Sequence, residues 1–277
     1  RSATTIALNT QANIGANARL RLDGDWRNPE HLRVQAFNNV YARDKVKLDS
    51  GGAISIALAQ SLIDVTQAKA RVTVGSGADI YSVGDLILSA SGFYDIDARV
   101  NAKTWGAAGA AQGLSRAQVN ADYAVTVGTN ANLFSYGDAK FYAGYNVSGQ
   151  MNKAVLTART DLWNNTAFPV VTDPEADAIY VRNSNLLLNG GSHVRSVGDI
   201  YAYAGKGYSI LTGEGIGKDL YREVASAILG AIVGEVSLDI TGGSTQNGGS
   251  AKVTANGTLD AGVYSQQKLH VSGLKYL

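Results

Sequence analysis

Two aspartates in this sequence have a spacing that suits acid–base chemistry. Asp95 and Asp97 lie two residues apart, so on a strand both side chains point to the same face. Paired carboxylates act as acid and base in enzymes that cleave polysaccharides, but such a site also needs partners from neighbouring strands. Only Arg99 lies nearby in the sequence. We therefore favour a solvated face for this pair and keep a carbohydrate-active lyase or hydrolase as the alternative.

Three further carboxylates fall within a stretch of five residues. Asp173, Glu175 and Asp177 carry the oxygen ligands that calcium prefers. The stretch lacks the glycine-bearing loop of known calcium motifs, so we expect an exposed acidic turn rather than a metal site. The three histidines of the chain lie far apart in the sequence, so a histidine-rich metal centre is not expected either.

Another set of aspartates follows glycine at three similar turns, at Asp85, Asp138 and Asp199. An aspartate in a turn forms hydrogen bonds with nearby backbone amides, which explains these residues without a ligand. We also expect the three positions to lie more than two coils apart in the folded chain, too far to share one ion. The three aspartates are therefore predicted to be structural.

Aromatic residues gather around the strands that follow these turns. Exposed aromatic rings can bind a glycan or a protein partner, whereas rings stacked on each other across strands stabilise a fold. A stabilising tyrosine ladder is the favoured interpretation, and a binding surface is the alternative. The residues of this candidate surface are Tyr94, Tyr142, Tyr145, Tyr201, Tyr203 and Tyr208.

Composition excludes several classes of function. The sequence has no cysteine, which excludes a disulfide scaffold, a thiolate zinc site and a cysteine nucleophile. Its 24 basic and 23 acidic residues give a net charge of +1, so there is no basic field to hold nucleic acid or an anionic membrane. No phosphate loop, dinucleotide fingerprint or zinc-protease motif is present. We expect no catalytic residue, no cofactor and no metal ion.

The chain also carries no predicted membrane span. Its longest apolar stretch, Val224 to Val233, is much shorter than the roughly 20 residues that cross a bilayer. No signal peptide is visible and the sequence opens at Arg1, so we expect a mature piece or an excised segment of a longer protein.

A short pattern recurs five times along the chain. Each copy is a turn followed by five residues, with apolar residues at the first and third positions and a tiny residue at the fifth. This period-two alternation is typical of a half-buried strand. The copies begin at Leu32, Leu86, Ala139, Ile200 and Leu269, with spacings of 54, 53, 61 and 69 residues. The larger spacings indicate loop insertions.

The repeats favour a stack of equivalent strands over a set of hairpins. Two-residue hairpin turns such as Asn-Gly are few and irregularly placed. In a parallel β-solenoid each coil contacts only its neighbours, so equivalent positions stay apolar. We predict an all-β fold, a single parallel β-helix over residues 1–277, with repeat units near 10–36, 51–90, 107–143, 154–204 and 228–273. Coils of roughly 20–25 residues would make a rod on the order of 50–60 Å long.

Two segments fit this pattern poorly. Residues 107–123 are rich in alanine and glutamine, and we prefer an irregular coil for them. From Asp219 to Val233 apolar residues fall at helical spacing, but Gly230 weakens the pattern. A short helix decorating the solenoid and an irregular coil are equally expected there.

The module from Ala70 to Ala90 resembles the repeats of large bacterial exoproteins, the filamentous-haemagglutinin-like adhesins. Its pattern, Ala-x-Val-Thr-Val-Gly followed by Gly-Asp-Leu-x-Leu-x-Ala, returns in weaker form at 124–143, 178–204 and 251–273. The resemblance covers most of the chain from about Gly51 and implies a right-handed parallel β-helix exported to the cell surface. The family's amino-terminal Asn-Pro-Asn motif is matched only by Asn28-Pro29-Glu30.

Together these observations predict a non-enzymatic extracellular segment of a bacterial surface adhesin or filament. It would be a rigid rod, secreted or held at the cell surface, with recognition carried by its lateral loops. The expected partners are adjoining β-helix coils of the same or another chain, and a glycan or protein of a host or neighbouring cell. A filament subunit that assembles end to end is a further alternative.

Overall fold

The computed structural model describes residues 1–25, 27–205, 207–233, 240–262 and 268–274. These residues form an all-β structure with parallel sheets and one short helix, which confirms the predicted fold class at that level. Of the two alternatives for Asp219 to Val233, the structure contains the helix. The strands are β1 (Ser2–Ile14), β2 (Arg19–Leu22), β3 (Leu32–Val74), β4 (Asp79–Ser82), β5 (Leu86–Val127), β6 (Asn132–Ser135), β7 (Ala139–Ala143), β8 (Lys153–Leu188), β9 (His193–Ser196), β10 (Ile200–Gly205), β11 (Tyr208–Asp219), β12 (Ile240–Gly242), β13 (Ser244–Ala255), β14 (Thr258–Ala261) and β15 (Leu269–Leu274), and the helix is α1 (Leu220–Val233).

The five copies of the repeat pair directly with one another. Leu32 lies opposite Leu86, which lies opposite Ala139. The series continues in the same parallel register through Ile200 to Leu269. Each copy therefore belongs to the layer next to the previous copy, and one repeat of 53 to 69 residues makes one layer.

This register corrects the predicted coil of roughly 20–25 residues and the predicted separation of the turn aspartates. Asp85, Asp138 and Asp199 lie in adjacent layers, joined by hydrogen bonds. With strands about 4.8 Å apart, the five copies span roughly 20 Å, so a stack on the order of 50–60 Å is too long. The prediction was wrong because β3 is one strand of 43 residues that runs through a reversal, and a local apolar pattern does not say how many residues make up one layer.

Two sheets hold these strands. In the described residues a ten-stranded sheet follows the order β12–β11–β8–β5–β7–β10–β15, and β1, β3 and β13 join it beside that path. A second sheet contains the short strands in the order β14–β9–β6–β4–β2. Every pairing between these strands is parallel except that of β11 with β12. The structure is therefore a stack of equivalent layers rather than a series of hairpins.

Each long strand reverses direction part-way along its length, so one layer has two limbs that face each other. In β3 the Ser61 hydroxyl donates a hydrogen bond to Asp44 Oδ2 over 2.7 Å, from one limb to the other. Gly52 lies at the reversal with a φ of +155°. Gly106 takes the same place in β5, with a φ of +151°, and a Cβ there would collide with the Gly52 carbonyl oxygen. Glycine is required at Gly106 for this close approach of two layers.

The two limbs enclose a wide apolar core at one end of the layer and a narrow core at the other. We call the narrow end the arm, residues 43–61, 99–115, 159–175 and 213–219, and the rest of the stack the body. Large apolar side chains fill the body, among them Ile80, Leu86, Leu88, Ile96, Leu133, Phe141 and Leu156. The arm has a smaller buried cluster, which consists of Ala57, Ala59, Val100, Ala102, Ala111 and Leu162.

The arm closes at β11. Three inward positions of β11 are the glycines Gly213, Gly215 and Gly217. They pair with Ala158, Thr160 and Leu162 of β8, respectively. A Cβ at Gly215 would collide with the carbonyl oxygen of Pro174 on the opposite limb. The absence of side chains therefore lets the limbs meet, and α1 begins directly afterwards at Leu220.

Residues 107–123, for which we preferred an irregular coil, are extended within β5. Ala108 pairs with Ile54 of β3 and with Phe168 of β8. Small side chains suit this segment because it runs through the narrow arm, where Gly109 and Gly113 approach the opposite limb or the next layer closely. As far as Ser115 the small side chains reflect the width of the arm, and beyond it Val119 and Tyr123 are buried in the body core.

Candidate binding site

The six candidate tyrosines do not form one surface, and Tyr94 is the clearest correction. Tyr94 is fully buried at an inward position of β5. Tyr123 donates a hydrogen bond to the Tyr94 hydroxyl over 3.2 Å, and the Tyr180 hydroxyl lies 3.5 Å from that of Tyr123. Burial raises the pKa of all three phenols. Tyr94 is therefore part of the body core and presents no surface.

Tyr142, Tyr145, Tyr201 and Tyr203 form a cluster on the side of β7 and β10 that faces away from the core. The ring centroids of Tyr142 and Tyr203, from adjacent layers, are 5.8 Å apart. Tyr145 lies 6.0 Å from Tyr142 and 5.7 Å from Tyr203. Tyr142 and Tyr145 are buried, which corrects their prediction as surface residues, and burial raises the pKa of Tyr142 to about 12. Rings stacked across layers are the geometry expected of a tyrosine ladder.

Tyr208 differs from the other five because half of its surface is exposed, and it lines an open cavity of about 480 Å³. Three more aromatic rings line the same cavity, those of Phe37, Tyr41 and Phe93. Tyr41 is 65% exposed, and its ring centroid lies 5.4 Å from that of Phe93. The stacking of layers brings these rings together, since Asn39, Phe93, Lys153 and Tyr208 lie in one register row.

The second wall of the cavity is a loop, residues 144–152, inserted between β7 and β8. This insertion accounts for the longer spacing between the third and fourth copies of the repeat. Asn146 Oδ1 accepts hydrogen bonds from the backbone N–H groups of Ser148 and Gln150, both over 3.0 Å. Asn146 Nδ2 donates to Gln150 Oε1, also over 3.0 Å. The Asn146 side chain and backbone hydrogen bonds within the loop, such as that from the Asn146 N–H to the Gln150 carbonyl over 2.8 Å, thus fix its conformation together.

Amide groups from this loop face the cavity. Gln150 is exposed, and its Nε2 group has no acceptor among the described residues. Asn152 is only 4% exposed, and its Oδ1 accepts a hydrogen bond from the Gly92 N–H over 3.0 Å. Asn152 Nδ2 is buried and has no acceptor in the described part of the chain. Asn152 therefore joins the loop to β5 through its Oδ1, whereas the exposed Gln150 amide is open to a ligand.

The three turn aspartates form a ladder between layers. The N–H of Asp138 donates to Asp85 Oδ1 over 2.8 Å, and the N–H of Asp199 donates to Asp138 Oδ1 over 3.0 Å. The same contact recurs at each end, from the Asp85 N–H to His31 Nδ1 and from the Lys268 N–H to Asp199 Oδ1. The predicted backbone hydrogen bonds of these aspartates are thus present, but they join adjacent layers.

Positive groups offset the stacked carboxylates. Lys140 Nζ lies 2.7 Å from Asp85 Oδ2 and 3.0 Å from Asp138 Oδ2. Burial alone would raise the pKa of Asp85, but hydrogen bonds from Lys140 and the Asp138 N–H, with the charge of Lys140, lower it overall. The N–H of Lys268, helped by the His270 and Tyr201 side chains, lowers the pKa of Asp199. The ladder is therefore suited to hold layers together in its ionised form.

Asp95 and Asp97 lie on the outward side of β5 and each contacts an arginine. Arg43 Nη2 lies 3.5 Å from Asp95 Oδ2, and Arg99 Nε donates to Asp97 Oδ1 over 2.7 Å. The two carboxylates are thus on one face, as their spacing predicts. Both are occupied by ion pairs, which is the arrangement expected of a solvated face.

The acidic stretch from Asp173 to Asp177 corrects the prediction of a turn. It is extended within β8, and Asp177 Oδ1 accepts from the Ser244 hydroxyl while Asp177 Oδ2 lies 3.2 Å from Arg116 Nη2. Among the residues that the structure describes, no three histidine, aspartate or glutamate side chains are placed to hold a metal ion. No helix in this part of the chain is long and apolar enough to span a membrane.

No family model, curated protein or solved structure matches this chain.

Sequence reasoning found Tyr208 but missed Phe37 and Tyr41, which line the cavity with it. A signal was present, because both fall at outward positions of a strand with strict alternation, where an aromatic residue is left exposed. The contribution of Gln150 and Asn152 had no such signal, since it depends on where the inserted loop folds.

Proposed function

We propose that this chain is part of a β-solenoid, a right-handed parallel β-helix, and serves as a rigid, non-enzymatic segment of a bacterial surface adhesin or filament. The observation that carries the proposal is the direct parallel pairing of five repeat copies from Leu32 to Leu269. In such an architecture each layer contacts only its neighbours, so a rod lengthens by adding layers without changing its core.

The contacts between layers support a mechanical role. The aspartate ladder places a side-chain hydrogen bond between every pair of adjacent layers from His31 to Lys268. The tyrosine cluster adds ring contacts between the layers of Tyr142 and Tyr203. The aspartate ladder repeats along the stack, as expected for a structure in which stability is a sum over layer interfaces, and the tyrosine cluster strengthens one of those interfaces.

The carbohydrate-active alternative has less support. Catalytic carboxylates act as a pair, one as acid and the other as base or nucleophile. Asp95 and Asp97 are instead each bound to an arginine on an outward face. The cavity of about 480 Å³ is lined by aromatic and amide residues and contains no carboxylate. Binding without cleavage fits these groups better than catalysis does.

The outer edges of the stack favour a second candidate, a filament subunit. In the described residues β1, β2 and the first limb of β3 have a strand partner on one side only. The same is true of β13, β14 and β15 at the other end. An unpaired strand edge can form hydrogen bonds with a strand of another chain. If each copy joined the next through the same head-to-tail contact, the copies would form an open filament. The occupant would be an adjoining β-helix coil of the same or another chain.

Negative-stain imaging and light scattering over a range of concentrations test these proposals together. Discrete flat particles, roughly 20 Å thick along the stack, would support a solenoid segment. Fibres that lengthen with concentration would support the filament subunit. A rounded particle of similar length in all directions would overturn the solenoid.

Placement at the cell surface needs a separate test. Antibodies raised against this chain should label intact cells of the source bacterium, and brief treatment of those cells with protease should remove the label. Labelling that requires lysis of the cells would contradict an extracellular role.

A further inference from the structure

We propose that the cavity beside the 144–152 loop binds a short neutral oligosaccharide. The proposal goes beyond the structural role given above, and it holds whether or not the layers belong to a longer rod. Its first support is the set of aromatic rings from three layers, Tyr41, Phe93 and Tyr208, with Phe37 beside them. The C–H face of a pyranose ring is apolar and packs on such rings, which are otherwise left facing water.

Polar groups around the rings suit the hydroxyls of a sugar. Asn39, Asn146, Gln150 and Asn152 all line the cavity, and an amide both donates and accepts hydrogen bonds. A hydroxyl can do the same, so the exposed amides of Asn39 and Gln150 suit sugar hydroxyls, whereas Asn146 is engaged in hydrogen bonds within the loop.

The charges at the site favour a neutral ligand. Lys153 is the one charged residue among those that line the cavity. The nearest carboxylate in the strand register is that of Asp95, which lies opposite Tyr41 and two residues after Phe93. This carboxylate forms an ion pair with Arg43. A charged ligand would lose hydration on entering the cavity and would meet at most one opposite charge there. A neutral sugar does not have this cost of desolvating a charge.

The cavity is also formed before any ligand arrives. The hydrogen bonds of Asn146 hold the loop closed, and the Tyr208 N–H donates to the Asn152 carbonyl over 2.7 Å, which fixes the loop to β11. A fixed site loses less conformational entropy on binding than a mobile loop does. Its volume of about 480 Å³ is in the range of small-molecule sites.

Titration calorimetry and saturation-transfer NMR with maltotriose, cellotriose, chitotriose and N-acetyllactosamine test the proposal. At least one of these probes should bind, and Tyr41→Ala and Tyr208→Ala should each weaken it by about tenfold. Both side chains are at least half exposed, so neither substitution should prevent folding. Tyr41→Phe keeps the ring and should bind within about twofold of the unchanged protein.

Tyr221→Ala is the matched control, because Tyr221 is a 74% exposed tyrosine on α1, outside the cavity. It should leave the affinity unchanged. The proposal is wrong if no probe binds, or if binding survives both cavity substitutions, or if Tyr221→Ala weakens it equally. A proline-rich peptide that binds when all four sugars fail would also overturn it, since aromatic grooves recognise such peptides as well.

Discussion

In the body, successive layers place large apolar side chains at their inward positions, whereas in the arm the same strands place small and polar ones there. Leu88 and Phe141 are stacked in the body core. In the arm, fully buried Asn164 accepts from Thr104 over 2.9 Å and donates to the Gly109 and Val171 carbonyls. Side-chain volume thus sets the separation of the limbs, and hydrogen bonds replace apolar volume where the limbs converge.

This difference predicts that the body and the arm contribute unequally to the free energy of unfolding. The body buries a continuous apolar cluster and should contribute most of the free energy of unfolding. The arm has a smaller cluster, and a hydrogen-bonded polar core contributes less per residue but constrains which residues face each other. The arm should therefore open at a lower free energy than the body does.

The largest expected effect comes from the same substitution made in both regions. Leu88→Ala in the body should lower the free energy of unfolding by about 4 kcal/mol, against about 2 kcal/mol for Leu162→Ala in the arm. Both side chains are buried, but the thin arm can collapse around the lost volume more easily than the body can. Urea denaturation measures the two values, and equal losses would remove the distinction between the regions.

The closure of the arm depends on glycine at β11. Gly215→Ala introduces a Cβ that collides with the Pro174 carbonyl, so we expect a loss of about 1–3 kcal/mol and faster hydrogen exchange in residues 159–175. Gly190→Ala is the control, because a Cβ at Gly190 has nothing within 4 Å. That control should be neutral or slightly stabilising. Unchanged exchange in the arm of the Gly215→Ala protein would contradict the proposed close packing.

The aspartate ladder belongs to the body and gives a smaller effect. Asp85→Ala removes the acceptor of the Asp138 N–H and the partner of Lys140, and should cost about 1–2 kcal/mol in thermal or urea unfolding. Asp85→Asn keeps an acceptor and should cost less. Asp49→Ala, at a surface pair of the arm with a 51% exposed carboxylate, should change stability by less than about 0.5 kcal/mol. A larger loss at Asp49 than at Asp85 would reverse the comparison.

The smallest effect is the response of the ladder to acid. The pKa values of Asp85 and Asp199 are lowered in the folded chain, so their contribution is present above the ordinary value of 3.8 and is lost as the pH falls through the folded values. The melting temperature should therefore change little above about pH 5 and should fall progressively as the pH drops below the ordinary value of 3.8. Asp85→Asn should make that fall smaller, and a variant as acid-sensitive as the original protein would contradict a role for Asp85.

The candidate site shows where sequence reasoning stops. Outward placement of Tyr41 follows from the alternation of β3, and the loop insertion follows from the spacing of the copies. Neither shows that Tyr41 and Tyr208 line one cavity, because they are separated by two intervening layers of chain. The burial of Tyr142 and Tyr145 was equally hidden, since alternation separates the two faces of a strand but does not say what covers the outer one.

The sequence by itself determined the strand pattern, the equivalence of the five copies and their parallel register from Leu32 to Leu269. Period-two alternation and tiny fifth residues are local properties, and equivalent positions must match where layers stack. Only the tertiary structure decided the size of a layer, the reversal at Gly52 and the narrowing of the arm. Across the reversal of β3 the inward positions change from even to odd numbers, from Ser50 to Ser55 and Ala57. The apolar alternation of the sequence runs on through Ile54 and Ile56, which are exposed, so the sequence pattern does not show that one limb folds back onto the other.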